Sequence, residues 1–377
     1  MSHVSLRGAR LSLARVFAEA RRRSTDGVVV SGHHNINRIA PLRQPLALLL
    51  RQPSGGSLAK FRTPFPAIEV VPRIFPGEAP VLRALERHVD GVPRCLADFG
   101  DWSLHQYVEG QALSEAVPEG PVGRERLLAL ARFFAQLAGV RREELPALPA
   151  GWPASGDSRG FLDWLAEFAD VRVHQANLPC FGALFEAVGV RPGAVGGFLR
   201  TVPPLTPRPY ALLHTDVHRA NIVVSPAPGG ERLCVIDWEL ALYGDPLHDL
   251  ATHLVRMDYD EDERELMVRL WAGAMREAER PDLCAGLDTD LPVYLGFEYA
   301  QSVFPDVMRA ALLLPDRPAD RDLVLAAARV LRALERAREP LRLDGPPSEG
   351  AVIDALRRWR ATAATERGGD VSVPVSR

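Results

Sequence analysis

Lysine is almost absent from this chain: Lys60 is the single lysine among 45 basic residues. Acidic residues number 48, so the formal net charge is -3 and the chain lacks the cationic excess of proteins that bind DNA or RNA. We therefore expect no nucleic-acid partner. Because a lysine ammonium is a compact point charge that arginine does not always replace, the one lysine is a candidate functional residue.

Cysteines and long apolar runs are also scarce. The cysteines show no C-x-x-C spacing, which favours reduced, buried thiols over a zinc or redox site. They are Cys95, Cys180, Cys234 and Cys284. No apolar run approaches the roughly 18 to 20 residues that a membrane span needs, and no apolar signal segment follows the arginines at 21–23. We expect a cytoplasmic protein that does not enter a membrane.

The remaining composition is that of a globular protein large enough for two lobes. Of its 377 residues, 47% are hydrophobic and 25% are charged. This length suits lobes of roughly 110 and 250 residues with a cleft between them. The pattern predicts a helical N-terminal segment, a first lobe, a hinge, a second lobe and a disordered tail, at residues 1–26, 27–106, 107–110, 111–365 and 366–377.

The first lobe is predicted to be rich in strands. Extended structure is expected at 28–39 (a hairpin), 57–64, 68–71 and 102–110, and a short helix at 44–51. The apolar spacing that follows Glu78 predicts one amphipathic helix. The last strand stops at Gly110, a residue type that suits a hinge.

The second lobe is predicted to be mainly helical, which makes the fold class α+β. Helical spacing is found at 124–139, 160–175, 246–256, 261–278, 292–313, 319–337 and 350–363. One β-type interruption, at 210–239, consists of two short strands that flank a polar loop.

The polar loop carries the residues that indicate chemistry. Asp216 is followed by Asn221, and Asp237 comes sixteen residues after Asn221, on the returning strand. Phosphoryl transfer needs oxygen donors for Mg²⁺ and one carboxylate that orients the attacking hydroxyl. Asp237 also interrupts the apolar strand LCVID, where an unpaired carboxylate would be costly. The spacing therefore indicates a site for a nucleoside triphosphate, magnesium and a hydroxyl acceptor.

The same stretch resembles the aminoglycoside phosphotransferase and choline kinase group. The resemblance rests on three segments in order, HTDVHRAN (214–221), IDWE (236–239) and GDPLHDLA (244–251). It implies a bilobal, protein-kinase-like fold that uses ATP and Mg²⁺ on a small-molecule acceptor. It further implies Asp216 as the catalytic base, Asn221 and Asp237 as metal ligands, His214 as support for the loop, and Asp245 and Asp249 as structural carboxylates.

The resemblance also implies contacts to the nucleotide from the first lobe. The bend Ser31-Gly32-x-x-Asn35 would lie over the phosphates, although a plain β-turn explains the same residues as well. The backbone of residues 106–109, including Gln106 and Val108, would hydrogen-bond the adenine edge.

The resemblance further implies that a cation on the strand at 57–64 pairs with a glutamate on the next helix and holds the phosphates. Glu78 is the expected glutamate, and Lys60 is our choice for the cation, because Leu58 would then lie against the adenine. Arg62, on the same strand face, and Arg73 remain alternatives.

Charge patterning bears on the acceptor. Residues 237–263 hold nine acidic residues and one arginine, a net charge of -8, whereas residues 1–110 hold fifteen basic and nine acidic residues, a net charge of +6. An acidic wall favours a cationic acceptor such as an aminoglycoside or an amino alcohol. Alternatively, the acids at 258–263 only mark the solvated start of a helix.

Two classes of function follow. The first is an ATP-dependent O-phosphotransferase acting on a small molecule, with an antibiotic-type acceptor as the leading expectation. The second is a non-catalytic nucleotide-binding module on the same fold, since the bend at 31–35 has no glycine-rich run. A protein kinase is remote because no A-P-E segment follows IDWE.

Overall fold

The computed structural model describes residues 2–24, 26–31, 35–52, 57–64 and 68–367. The strands are β1 (Val28–Ser31), β2 (Asn35–Pro41), β3 (Leu58–Pro64), β4 (Cys95–Asp98), β5 (Ser103–Gln106), β6 (Gln111–Ala112), β7 (Ala211–Leu213), β8 (Ile222–Ala227), β9 (Gly230–Val235) and β10 (Leu242–Gly244). The helices are α1 (Ser2–Arg23), α2 (Leu46–Leu49), α3 (Glu78–Leu85), α4 (Leu113–Ala116), α5 (Arg124–Leu137), α6 (Ser158–Glu167), α7 (Ala176–Ala187), α8 (Ala194–Leu199), α9 (Pro246–Arg256), α10 (Glu261–Glu277), α11 (Leu287–Leu312), α12 (Asp320–Leu341) and α13 (Glu349–Arg367).

The first lobe is built on an antiparallel five-stranded sheet in the order β1-β2-β3-β5-β4. Side chains alternate along the central strand β3. Ala59 and Phe61 are buried in a small core that also contains Ala14 of α1. Lys60 and Arg62 occupy the alternate positions, so they face away from that core.

Helix α3 belongs to the first lobe by its position in the sequence, but its apolar side chains pack in the core of the second lobe. Val81, Leu82 and Leu85 are fully buried, and they belong to the large core of the helical lobe. Glu78 is the first residue of the helix, where the helix dipole favours a carboxylate. The helix therefore places Glu78 at the boundary between the lobes.

The second lobe is a helical core with two small sheets at its edge. Helix α11 packs against α9 and α12, and α10 packs against α5. Strand β10 pairs with β7, and β6, β8 and β9 form a three-stranded sheet. The polar loop runs from β7 to β8, and Asp237 follows β9, so the two sheets bring both segments to the same edge of the core.

The α+β, two-lobed architecture expected from the sequence is confirmed. Most predicted helices lie within a few residues of the observed ones, although the predicted helix at 160–175 is α6 continued by a π-helical segment, Phe168–Gln175. Residues 68–71, expected to be extended, lie in no strand. The pattern missed β4, which is only four residues long, and α7, which contains Pro179 and has a weak apolar face. The expected burial of the thiols is wrong for Cys180, which is exposed.

The C-terminal boundary differs from the prediction by two residues. Helix α13 continues to Arg367, and the rest of the expected disordered tail, 368–377, lies outside the described residues. Within the described ranges, no helix combines the length and the apolar content needed to cross a bilayer.

A buried arginine links three segments of the second lobe. The Arg208 guanidinium is fully buried and donates to Asp245 at 2.8 Å and to Asp290. Asp245 also accepts from the Leu247 N–H at 3.0 Å, which caps α9. The network thus fastens the chain before β7 to the start of α9 and of α11.

Removing this buried cation should be strongly destabilising. Arg208→Met leaves two buried carboxylates without their partner, so the free energy of unfolding should fall by about 3 to 5 kcal/mol. Arg191→Met is the matched control, since Arg191 and Asp344 form an exposed pair whose loss should cost about 1 kcal/mol or less. Urea unfolding measures both, and equal losses for the two variants would contradict the assignment.

Candidate active site

Asp249, on α9, fixes the backbone of the polar loop through hydrogen bonds. Its carboxylate accepts hydrogen bonds from the backbone N–H groups of His214, at 2.8 Å, and Thr215, at 2.7 Å. The Thr215 hydroxyl donates to the Leu240 carbonyl at 2.7 Å, and its backbone adopts a left-handed conformation with φ 62°. A non-glycine residue in this conformation is often found at a functional turn. The structural role expected for Asp249 is confirmed.

His214 connects the loop to the strand that carries Asp237. Its Nε2 lies 3.1 Å from the Ile236 carbonyl oxygen, and its Nδ1 accepts from the Asp216 N–H at 3.2 Å. The ring is fully buried and packs against Trp238, with centroids 4.5 Å apart. The supporting role expected for His214 is confirmed.

The structure brings Asp216, Asn221 and Asp237 together. The Asn221 Nδ2 donates to the Asp216 carboxylate at 2.9 Å and to its carbonyl at 3.0 Å. The Ile236 N–H donates to the Asn221 carbonyl at 2.9 Å, which places Asp237 directly beside Asn221. Asp216 and Asp237 both line one cavity of about 650 Å³.

Asp216 is ion-paired with Arg256, the last residue of α9. Burial by itself would raise the pKa of Asp216, but the charge of Arg256, followed by contacts with His218, lowers it well below the ordinary range. Arg256 also pairs with Glu298 of α11 at 3.3 Å. Sequence reasoning did not assign Arg256 a role; its one signal was its position as the only arginine within the acidic stretch 237–263.

The strand cation that pairs with Glu78 is Arg62, and the choice of Lys60 for that pair was wrong. Arg62 Nη1 lies 2.8 Å from the Glu78 carboxylate, and its Nη2 lies 2.8 Å from Asp237 and 2.9 Å from Glu239. A planar guanidinium fork can satisfy several carboxylates at once, which the compact point charge of an ammonium cannot do equally well.

The network extends beyond ion pairs. The Trp238 N–H donates to Glu78 at 3.0 Å. Burial by itself would raise the pKa of Glu78, but Arg62, and then His105, lower it below its ordinary value. The carboxylate of Glu78 is therefore ionised and joins α3 to the segment that carries Asp237.

Lys60 lies beside this network. Burial, and then the charge of Arg62, lower the pKa of Lys60, whereas Glu78 and Asp237 raise it. Lys60 is partly buried and makes no ion pair within the part of the chain that the structure describes. Arg73, the other alternative, lies 3.7 Å from Glu239.

The predicted phosphate bend falls largely outside the described residues. Gly32 is among residues 32–34, which are not described; β1 ends at Ser31 and β2 begins at Asn35. Whether these three residues contact phosphate stays a prediction.

The hinge presents backbone groups where an adenine edge was expected. The Gln106 backbone N–H donates to the Arg94 carbonyl at 2.9 Å. Of the two backbone groups of Gln106, this leaves only the carbonyl oxygen for a hydrogen bond with a base. No described residue accepts a hydrogen bond from the Val108 N–H. Gly110 is tightly placed, because a Cβ there would lie 2.5 Å from the Val224 carbonyl oxygen.

The other loop residues have different roles. Arg219 donates to the backbone carbonyls of Val117 at 2.8 Å and Gly120 at 2.7 Å, so it fastens the loop to the chain near α4. His218 lines the cavity, with its Nε2 3.6 Å from the Asp216 carboxylate.

The donor atoms fit a magnesium ion that arrives with a nucleotide. Asn221 uses Nδ2 for Asp216, which leaves its Oδ1 uncommitted by that contact, and Arg62 is bonded to only one oxygen of Asp237. No group of three or more His, Cys, Asp or Glu residues within the described ranges is arranged to hold a metal. Mg²⁺ commonly takes only one or two protein ligands and completes its shell with phosphates and water.

Asp216, Asn221 and Asp237 meet at the edge of the helical lobe. Beside them, Arg62 of β3 is paired with Glu78 of α3. This arrangement, on a two-lobed α+β fold, defines a small-molecule kinase. The chain belongs to the phosphotransferase enzyme family, whose family model matches residues 58–283, more than half of the chain.

Solved structures with the same fold extend over most of the chain. A protein from Ralstonia eutropha assigned as an aminoglycoside phosphotransferase is 15% identical and has a TM-score of 0.52, covering 92% of this chain and 98% of its own. A choline/ethanolamine kinase family protein from Mesorhizobium loti is 18% identical, with a TM-score of 0.49 and coverages of 91% and 99%. An ethanolamine kinase from Plasmodium vivax is 13% identical, with a TM-score of 0.49 and coverages of 85% and 85%. A comparison with curated protein sequences gives no match. At 15% identity the likeness to the Ralstonia eutropha protein shows the fold alone.

Substitution of the two strand cations should separate their roles. Arg62→Gln leaves Glu78 buried without its cation, so the free energy of unfolding should fall by about 3 to 5 kcal/mol. Lys60→Gln, two residues away on the same strand face, should cost about 1 kcal/mol, because no ion pair is broken. Urea unfolding without nucleotide measures both. A larger loss for Lys60→Gln would show that the glutamate depends on the lysine.

Proposed function

We propose that the protein is an ATP-dependent O-phosphotransferase that moves the γ-phosphoryl group to a hydroxyl of a small molecule. The observation that carries the proposal is that Asp216 and Asp237 line one cavity while Asn221 is hydrogen-bonded to Asp216. One carboxylate can then meet the acceptor hydroxyl while the other faces the phosphates. In keeping with the sequence prediction, we place this activity in the cytoplasm.

Asp216 orients the acceptor. Arg256 and Asn221 hold its carboxylate in place, and its lowered pKa keeps it ionised at neutral pH. An ionised carboxylate accepts a hydrogen bond from the acceptor hydroxyl, and it takes the proton as the bond to phosphorus forms. A weak base suffices because the transition state of phosphoryl transfer is loose.

Asn221 and Asp237 are the residues that would hold Mg²⁺. When bound, the ion supplies positive charge that offsets the charge developing on the phosphates. Arg62 keeps Asp237 in position through their ion pair and, with Lys60 beside it, provides positive charge on the nucleotide side.

A cationic acceptor, expected from the acidic stretch at 237–263, stays a prediction. Most acids at 258–263 do not line the cavity, which weakens that expectation. The Asp260 carboxylate caps α10 by accepting from the Glu263 N–H at 2.8 Å. Glu263 itself accepts from the backbone N–H groups of Val122 and Gly123. Of residues 258–263, only Asp258 lines the cavity. An aminoglycoside or amino alcohol is therefore not favoured by this segment.

The second candidate function is a nucleotide-binding module without transfer activity. One observation favours it: each functional carboxylate is already paired with an arginine, Asp216 with Arg256 and Asp237 with Arg62. Such a protein would bind Mg-ATP and neither transfer nor hydrolyse its γ-phosphate.

Substitution at Asp216 separates the two functions. Asp216→Asn should lower turnover by about 10² to 10⁴, because the hydroxyl loses its orienting base, and should leave ATP affinity within about twofold. Asp101→Asn, a matched change at a surface ion pair with Arg15, should retain full turnover. The assay measures ADP release with a panel of alcohols. Binding of Mg-ATP without turnover by the unsubstituted protein would establish the second function instead.

The ion pair of Arg256 predicts a pH effect. In Arg256→Gln the charge that lowers the pKa of Asp216 is gone, so the pKa of Asp216 should rise. The carboxylate is active when ionised, and the acidic limb of the kcat/KM profile should therefore move to higher pH. Arg269→Gln, an exposed arginine of α10, is the control and should keep the original profile. An unshifted limb in Arg256→Gln would show that another group controls it.

A further inference from the structure

The cavity beside Asp216 has an arginine-rich far wall. Three arginines of α12 line it at helical spacing, so they share one face of the helix, and α11 adds one more. We call this set the acceptor wall; it consists of Arg309, Arg329, Arg332 and Arg336. The three arginines of α12 are exposed, so they are accessible to a ligand.

The acceptor wall lies away from the nucleotide side. Lys60, Arg62 and the hinge residues 106–109 do not line this cavity, although Asp216 and Asp237 do. Helices α11 and α12 both belong to the second lobe. A ligand at the acceptor wall therefore contacts a set of cations different from the one that we assign to the triphosphate.

The acidic residues in the cavity neutralise only part of this wall. Asp258 pairs with Arg336 at 3.1 Å, and Glu298 is held by Arg256. In the described part of the chain, Arg329 and Arg332 make no hydrogen bond or ion pair.

Arg309 adds a further positive charge close to the reacting group. Burial, and to a smaller extent the charge of Arg256, lower the pKa of Arg309, while Asp306 and Asp216 raise it. Burial raises the pKa of the neighbouring Asp306. An anion bound here would relieve the repulsion between Arg309 and Arg256.

We infer that the acceptor is an alcohol that carries an anionic group, a carboxylate or a phosphate ester, and that the acceptor wall binds this group while the hydroxyl lies at Asp216. Guanidinium forks bind carboxylate and phosphate oxygens through paired charge-assisted hydrogen bonds. The inference rests on the phosphotransferase function proposed above. In the transfer, the acceptor oxygen bonds to the γ-phosphorus, the bond to the bridging oxygen breaks, ADP leaves and the hydroxyl proton passes to Asp216.

Binding of defined probes tests the inference. The protein is saturated with Mg²⁺ and a non-hydrolysable ATP analogue and titrated in a calorimeter with D-glycerate, glycerol 3-phosphate, choline or kanamycin. At least one anionic probe should bind about tenfold more tightly than either cation, and the two anions distinguish a carboxylate site from a phosphate site. Tighter binding of choline or kanamycin, or no binding of either anion, would overturn the inference.

Variants locate the binding. Arg329→Ala combined with Arg332→Ala should weaken binding of the anionic probe by at least about tenfold, because the charge-assisted hydrogen bonds are lost. Arg321→Ala is the matched control on the same helix, since Arg321 is 86% exposed and does not line the cavity; it should bind as the unsubstituted protein does. Unchanged binding in the double variant would show that the anion binds elsewhere.

A transfer assay keeps the two proposals apart. Phosphorylation of choline or kanamycin alone would support the phosphotransferase function and overturn the anionic acceptor. A protein that binds the anion through Arg329 and Arg332 but transfers no phosphate to any probe would keep the anion site and refute the phosphotransferase.

Discussion

The Arg62 guanidinium ties together the three parts of the molecule that form the site. It lies on β3 of the first lobe and is bonded to Glu78 of α3, and also to Asp237 and Glu239 in the segment after β9. Both Arg62 and Glu78 are almost completely buried, so each charge depends on the other for its stability. The packing of α3 into the core of the second lobe makes this ion pair a connection between lobes.

A second set of contacts fixes the loop from within the helical lobe. Asp249 accepts from two successive backbone N–H groups, and His214 bridges the loop to Ile236. Both residues are buried, so few other conformations satisfy their polar atoms. The position of Asp216 is therefore set by α9, by the core beneath the loop and by the hydrogen bonds from Asn221 within the loop.

The charge distribution divides the cleft into two unlike sides. On the side of β3, where we propose that the nucleotide binds, Arg62 is neutralised by protein carboxylates, and Lys60 lies beside them. On the side of α12, Arg329 and Arg332 line the cavity without such partners among the described residues, whereas Arg336 pairs with Asp258. Unpaired arginines in the cavity that Asp216 lines raise the local concentration of anions. The net charge of a sequence segment does not reveal this difference between the two sides, because the acids at 258–263 and the arginines of α12 are far apart in sequence.

The sequence alone determined the α+β class and predicted that Asp216, Asn221 and Asp237 lie close together, because these residues belong to one short β-type interruption. The structural roles of His214 and Asp249 followed from the same local motif. Tertiary structure decided that Arg62 and not Lys60 meets Glu78, since both cations share a strand face and only the position of α3 distinguishes them. It also decided that Arg256 is the partner of Asp216, since the two lie forty residues apart in sequence. The arginines of the acceptor wall lie still farther from Asp216 in sequence. Helical spacing does not say which face of a helix lines a cavity built from other segments.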